Sequence, residues 1–228
     1  MKYEATNVLG TTTEYSEVRT VTNATAAAVV QIASGFDAWP TSAMVSKATF
    51  AQPPTIGNTL VAFLMVGSSI GDNFGNAWTL RQDADTGFGS RRYQLYTTVV
   101  TATGAGFEVT GSSNGQDVSS LIVYEVDGTY TSSIIDLEGA SGTSGDITIT
   151  ATTPNQRIIA GFTSGRSWGN EAMDVAAPWT TGARLLKAQV DPPHTVVHGV
   201  SASAGDVTIS APPLGHQYIA KIAVLISP

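Results

Sequence analysis

The sequence predicts an all-β protein, and three observations carry the prediction. Apolar residues recur with period two, or in short runs, along nearly the whole chain. Charged residues make up only 13% of the chain, about half the usual share, so the Glu and Lys that surface helices normally carry are scarce. Clusters of Gly, Pro, Asn, Asp and Ser, such as "GSSIGDNFGN" (67–76) and "GSSNGQD" (111–117), punctuate the apolar segments as turn chemistry.

The expected strands run in order. "SAMVSKATF" (42–50) alternates, and "NTLVAFLMV" (58–66) is a short apolar run. "RYQLYTTVV" (92–100) and "SSLIVYEV" (119–126) follow, and then "DITITAT" (146–152) and "QRIIAGF" (156–162). "HTVVHGVSA" (194–202) and "QYIAKIAVLI" (217–226) complete the set. In the last of these Tyr218, Ala220, Ile222, Val224 and Ile226 share one face. The other face is also largely apolar, which marks a strand covered on both sides. The one stretch with helical character is "TNATAAAVVQI" (22–32), and its Thr and Val content argues against a helix.

The chain also echoes itself. Leu60-Val61-Ala62 aligns with Ile158-Ile159-Ala160 at an offset of 98, and Trp78-Thr79 with Trp179-Thr180 at 101. "TTVVTATGAGFEVT" aligns with "TVVHGVSASAGDVT" at 98 or 99, and "LIVYEV" with "IAVLIS" at 101. Residues 42–128 and 142–228 therefore read as two versions of one unit joined by the loop "DGTYTSSIIDLEGASGTSG". A unit this small leaves a hydrophobic face uncovered when alone. The expectation is one jelly-roll-like antiparallel sandwich over 36–228, with each half giving strands to both sheets. Residues 1–35, polar and Thr-rich, have no counterpart in the echo and read as an N-terminal arm for anchoring or oligomerisation.

Composition excludes several functions. With no Cys, thiolate metal sites and thiol chemistry are excluded. A net charge of −7, with Arg91-Arg92 as the densest basic cluster, is the wrong electrostatics for nucleic acid. The longest apolar run, "LVAFLMV", is too short to span a bilayer, and the N-terminus lacks the apolar core of a secretion signal. A soluble protein that is not conventionally secreted, with no membrane partner, is expected.

Candidate chemistry is sparse. Glu125 and Asp127 lie at i, i+2 on a strand, the placement of a glycosidase carboxylate pair, but the acidic exit of a strand into an Asp-Gly turn accounts for them. His194 and His198 in "HTVVH" have the spacing of a helical zinc pair, yet on a strand they stand about 13 Å apart. His216 follows "PPLG" as a loop residue. "GDNFGN" (71–76) and "DADTG" (83–87) resemble fragments of calcium loops without a full ligand set. No Gly-x-Ser-x-Gly elbow is present. Catalytic residues, metal and cofactor are all expected to be absent. Aromatic residues in Gly-, Ser- or Asp-rich segments remain: Trp39, Phe74, Phe88, Tyr130 and Trp168. Such residues stack on sugars, anchor interfaces or cap the ends of a sandwich. "GRSWGN" (165–170), with Arg166, Trp168 and Asn170, is the favoured contact loop, with Trp39 as a further contact.

The strings "PPTIGNTLVA" (53–62), "NAWTLR" (76–81), "RRYQLYTTVVT" (91–101) and "VSSLIVYEVDG" (118–128) together resemble a β-sandwich module of bacteriophage virion surface proteins, of capsid-decoration, head-fibre or tail-fibre type. The strings are also similar to modules of bacterial adhesive and carbohydrate-binding proteins. The resemblance covers residues 45–128 well and the second half loosely. It implies a non-enzymatic protein at a particle surface, made in a host cytoplasm. Residues 1–35 depart from the module, and the separate expectation is that this arm attaches the protein to a major capsid protein or another virion protein. A homotrimer is the expected oligomer. A module that binds a host-surface glycan or receptor, through loop aromatics such as Trp168, is the alternative.

Overall fold

The computed structural model describes residues 5–7, 10–12, 25–37, 44–65, 67–85, 92–113, 119–137, 145–164, 178–185, 194–211 and 218–228. Among these the protein is an antiparallel β-sandwich without helices. The first half contains β1 (Ala5–Asn7), β2 (Gly10–Thr12), β3 (Val29–Asp37), β4 (Met44–Thr49), β5 (Thr59–Met65), β6 (Ser69–Asp72), β7 (Thr79–Asp85), β8 (Arg92–Val99), β9 (Glu108–Ser113) and β10 (Ser119–Val126). The second contains β11 (Thr129–Asp136), β12 (Gly145–Ala151), β13 (Arg157–Ser164), β14 (Thr180–Leu185), β15 (His194–Val200), β16 (Gly205–Ala211) and β17 (Tyr218–Ser227).

Each half builds the same large sheet. Its order is β3-β10-β5-β8-β7 in the first half and β11-β17-β13-β15-β14 in the second, which match strand for strand. The pairs β3·β10, β4·β9 and β5·β8 nest inside one another, as do β11·β17, β12·β16 and β13·β15. Nested pairs wrapped into two sheets make the jelly-roll arrangement. The middle pairs of each nest form the small sheets, β4-β9-β6 and β12-β16. Even the irregularities repeat. Both first strands carry a bulge near their start, at Val30 and Thr131, and both last strands carry one at Arg81 and Gly182.

The layers run small, large, large, small. The two large sheets face each other through Val61, Phe63, Tyr93, Ile122 and Tyr124 on one side and Ile159, Val196, Ile222, Val224 and Ile226 on the other. Leu60, Leu64, Leu121 and Val123 pack outward under Phe107 and Val109 of the first small sheet. Ile158, Phe162 and Leu225 pack under Ile147, Ile149 and Ile209 of the second. Double coverage explains why β5 and β10 are buried at every position and are largely apolar on both faces. Strand β9, covered on one face, alternates instead.

Four sequence expectations need correction. The halves do not share strands: among the described strands, each half supplies its own large and small sheet. The bare face foreseen for a single half exists, but the other half's large sheet covers it by packing. Val29–Asp37, assigned to the arm, is the edge strand β3, and the helix-like "AAAVVQI" falls partly within it. Thr129–Asp136, assigned to the joining loop, is the matching edge strand β11. The repeat thus runs from β3 to β10 and from β11 to β17.

The fourth correction concerns register. Met65 pairs with Ser120 and Thr163 with Ala220, so the last strands align at an offset of 100 rather than 101. Likewise Thr59 pairs with Val99 and Arg157 with Val200, so β8 and β15 align at 101 rather than 98 or 99.

The halves differ most where a polar group is buried. Lys221 occupies the place of Leu121. It is fully buried, its Nζ donating to the Asp146 carbonyl at 2.5 Å and pairing with Asp136 Oδ2 at 2.9 Å. Asp136 is 44% exposed and stays hydrated without its partner. Lys221→Met is therefore expected to change stability by less than about 1 kcal/mol, or to raise it, because a fitting apolar chain spares the desolvation of a buried ion. Urea unfolding measures this, and a loss above about 3 kcal/mol would show that the pair holds the edge strand in place.

Candidate functional site

Glu125 and Asp127, weighed above as a carboxylate pair and read as the acidic exit of a strand, have separate partners, and Glu125 is no exposed strand exit. Glu125, on β10, is fully buried and faces the small sheet. Its Oε1 accepts from the Thr55 amide (2.8 Å) and Asn58 Nδ2 (2.6 Å), and its Oε2 from Gln31 Nε2 (2.6 Å). Gln31 also donates to the Gln52 carbonyl at 3.0 Å. The carboxylate thus clamps the "AQPPTIGN" turn to β3 and β10. Asp127 lies past the strand end and accepts from the Ala28 amide.

His194 and His198 both point from β15 toward the central core, at opposite ends of the strand. His194 is fully buried, with Nε2 3.1 Å from the Tyr93 hydroxyl and Nδ1 3.1 Å from Ser120 Oγ. Burial lowers its pKa to about 3, so the ring is neutral and bridges the two large sheets. His198 stacks edge-on against Tyr124 with centroids 5.7 Å apart, and burial followed by the nearby Arg157 charge lowers its pKa. Among the described residues no three His, Asp or Glu side chains group as a metal site.

The calcium-like loop at 71–76 closes on itself. Asp72 Oδ1 accepts from the Phe74 amide (2.9 Å) and Asn76 Nδ2 (3.1 Å), and Oδ2 accepts from Trp78 Nε1 (2.8 Å). Asp83 and Asp85 lie on β7, where Asp83 pairs with Arg92 at 2.6 Å. Phe74 caps an end of the first outer core, stacked on Phe107 at 5.4 Å. Trp39, Phe88, Arg166, Trp168, Asn170 and His216 lie outside the described residues.

Tyr130 is where the structure and the list of aromatics meet. It sits on β11 rather than in a loop, half-buried, with its hydroxyl 3.1 Å from Ser133 Oγ. The Arg81 guanidinium, carried on the bulge of β7, lies over its ring at 4.1 Å and spans the two halves. Arg81 Nε also donates to Thr97 Oγ1 at 2.8 Å. Beside this contact a groove of about 340 Å³ runs between the halves, lined by Thr79, Arg81, Thr97, Thr101, Thr129 and Tyr130 among others.

No family model, curated protein or solved structure matches the chain.

The comparison available inside the molecule is between its halves. The strand equivalences place Gly182 where Arg81 stands, His198 at Thr97, Arg157 at Thr59 and Val29 at Tyr130. There the side chains make contacts of their own. Arg157 Nε donates to the Ala27 carbonyl at 2.6 Å, and the Trp179 ring covers Gly199 so closely that no side chain fits at that position. A methyl group at Gly182 would meet the Tyr124 hydroxyl and Ile32. The second half thus has Arg157 and His198 where the groove is lined by Thr59 and Thr97, and glycines where it has Arg81 and Thr98. Arg81 escaped the sequence reading, although the repeated Trp-Thr pair two residues before it marked the position at which to compare the halves.

Proposed function

We propose that the protein is a non-enzymatic structural protein of a virion surface, of capsid-decoration or head-fibre type, joined to a major capsid protein or another virion protein by its N-terminal arm. The observation that carries this reading is the hairpin β1–β2. It forms a two-stranded sheet of its own and pairs with no other described strand. Such a ribbon is marginally stable alone, and its free edges suit pairing with a neighbouring chain. The body behind it is a rigid block whose large sheets are covered on both faces. Its buried Glu125 and His194 act as struts between layers and have no access to a substrate. Jelly rolls recur in capsid proteins and lectins, in keeping with the resemblance read from the sequence. A homotrimer on the particle remains the expected assembly.

The test is a truncation whose end point the fold dictates. Ala27 is buried in the central core, and the Ala28 amide binds Asp127, so the cut must stop at residue 24. The protein lacking residues 1–24 is expected to keep its melting temperature and to lose association with purified particles. Quantitative mass spectrometry of those particles should find the full-length chain in fixed ratio to the shell protein. Undiminished attachment of the truncated protein would refute anchoring by the arm, and absence of the full-length chain from the particles would refute the virion assignment.

A further inference from the structure

We infer that the groove under Arg81 is a binding site for a carboxylated sugar. Three features of the groove lead there.

The first is its asymmetry within a symmetric frame. The second half carries Arg157, His198, Gly199 and Gly182 where this groove of about 340 Å³ has Thr59, Thr97, Thr98 and Arg81. The lining thus departs from the plan that the two halves otherwise share.

The second is the state of the threonine hydroxyls. Thr59 donates to the Gly128 carbonyl (2.5 Å), Thr98 to the Ala77 carbonyl (2.8 Å) and Thr101 to Asn76 Oδ1 (3.0 Å). With their protons committed inside the protein, these oxygens have only lone pairs left to offer. A matching ligand must bring several O–H donors of its own, as a sugar does.

The third is the cation. Arg81 is held on one flat face by Tyr130 and at Nε by Thr97, so the plane of its guanidinium is fixed before any ligand arrives. Among the described residues no carboxylate lines the groove, although the chain as a whole carries a net charge of −7. A pre-oriented guanidinium fork without a protein counter-ion is suited to bidentate pairing with a carboxylate. A donor-rich ligand with one carboxylate is a uronic or sialic acid unit.

The measurement is a titration of the free full-length chain by NMR or calorimetry, with no particle required, so its outcome is independent of where the protein is assembled. The probes are oligosaccharides ending in glucuronic, galacturonic or N-acetylneuraminic acid, each paired with its neutral counterpart. At least one acidic probe is expected to bind tenfold or more tighter than its neutral partner. Arg81→Gln and Arg81→Lys are both expected to weaken that probe at least tenfold, the lysine keeping the charge but not the fork. Thr97→Val, which removes the anchor of Arg81, should weaken it by a smaller factor. Arg81 is exposed, so its variants are expected to melt as the wild type does. Failure of every acidic probe to bind at millimolar concentration would overturn the proposal. Equal binding of the neutral partners, or undiminished binding by Arg81→Gln, would overturn it as well.

Discussion

Glu125→Ala is expected to lower the stability of the protein by about 3–5 kcal/mol. Three donors lose a charged acceptor, each such bond being worth roughly 1.5–3 kcal/mol, and water entering the emptied site recovers part of the loss. The Thr55 amide, Asn58 and Gln31 are the donors, so the damage centres on the turn that leads into β5. Amide exchange at Thr55 should accelerate along with the global destabilisation. Glu125→Leu separates charge from shape, because the second half carries Leu225 at the equivalent position inside its outer core. Leucine still strands the same donors and is expected to regain only the packing share. A loss under about 1 kcal/mol in Glu125→Ala, measured by urea denaturation, would show that water replaces the carboxylate in full.

His194 makes stability fall on acidification. In the folded protein it titrates at about 3 because burial disfavours the charged ring. In the unfolded chain it takes a proton near 6.5. Between those values the unfolded state binds the extra proton, so stability drops as pH falls, by up to about 1.4 kcal/mol per pH unit. The contribution is fully present above pH 6.5. Protonation would also give the ring two donors where the Tyr93 and Ser120 hydroxyls now satisfy one donor and one acceptor. His198 shifts in the same direction and adds a slope of the same sign. The window from pH 6.5 to 5 isolates the histidines from most carboxylates. There, urea midpoints of the wild type should fall steadily, and those of His194→Gln should fall less. Equal slopes in the two proteins would place the titration elsewhere.

The fold class was legible because burial leaves its mark on composition. The doubly covered strands β5, β10 and β17 announced themselves as largely apolar runs, broken by Glu125 and Lys221 in the last two, and the face assigned to Ala220, Ile222, Val224 and Ile226 is the one that meets the other half. Edge strands were harder to read. Strand β7 reads "TLRQDAD" and β11 reads "TYTSSIID" because each has one side open to water. Nothing in such segments separates a strand from a turn until their partners are known. The alignment of "LIVYEV" with "IAVLIS" fell one residue out, and on a strand a single residue exchanges the two faces. Both faces are apolar here, so the sequence pattern carried no penalty for the slip.

The candidate residues were legible as identities more than as roles. Glu125 stood out as an acid on a buried strand, but the three donors that hold it come from segments 67 to 94 residues away in sequence. His194 and His198 share strand β15, in the β context read from the sequence. The burial that makes His194 a neutral bridge depends on Tyr93 and Ser120 of the other half. Arg81 draws its meaning from Tyr130, which only the face-to-face packing of the halves brings within reach.

The self-contained pairing of each half has a consequence during synthesis. The last strand of the first large sheet ends at Val126, so once that strand clears the ribosome the sheet can close while Val61, Phe63, Leu95, Ile122 and Tyr124 still face water. Their cover comes from β13, β15 and β17, about a hundred residues later, a delay of roughly 5–20 s at typical elongation rates. For that interval the nascent chain displays a broad apolar plate that a chaperone, or the same plate on a neighbouring nascent chain, can occupy. Two first halves meeting on one polysome would bury the same residues the native protein buries, and would do so in the wrong molecule.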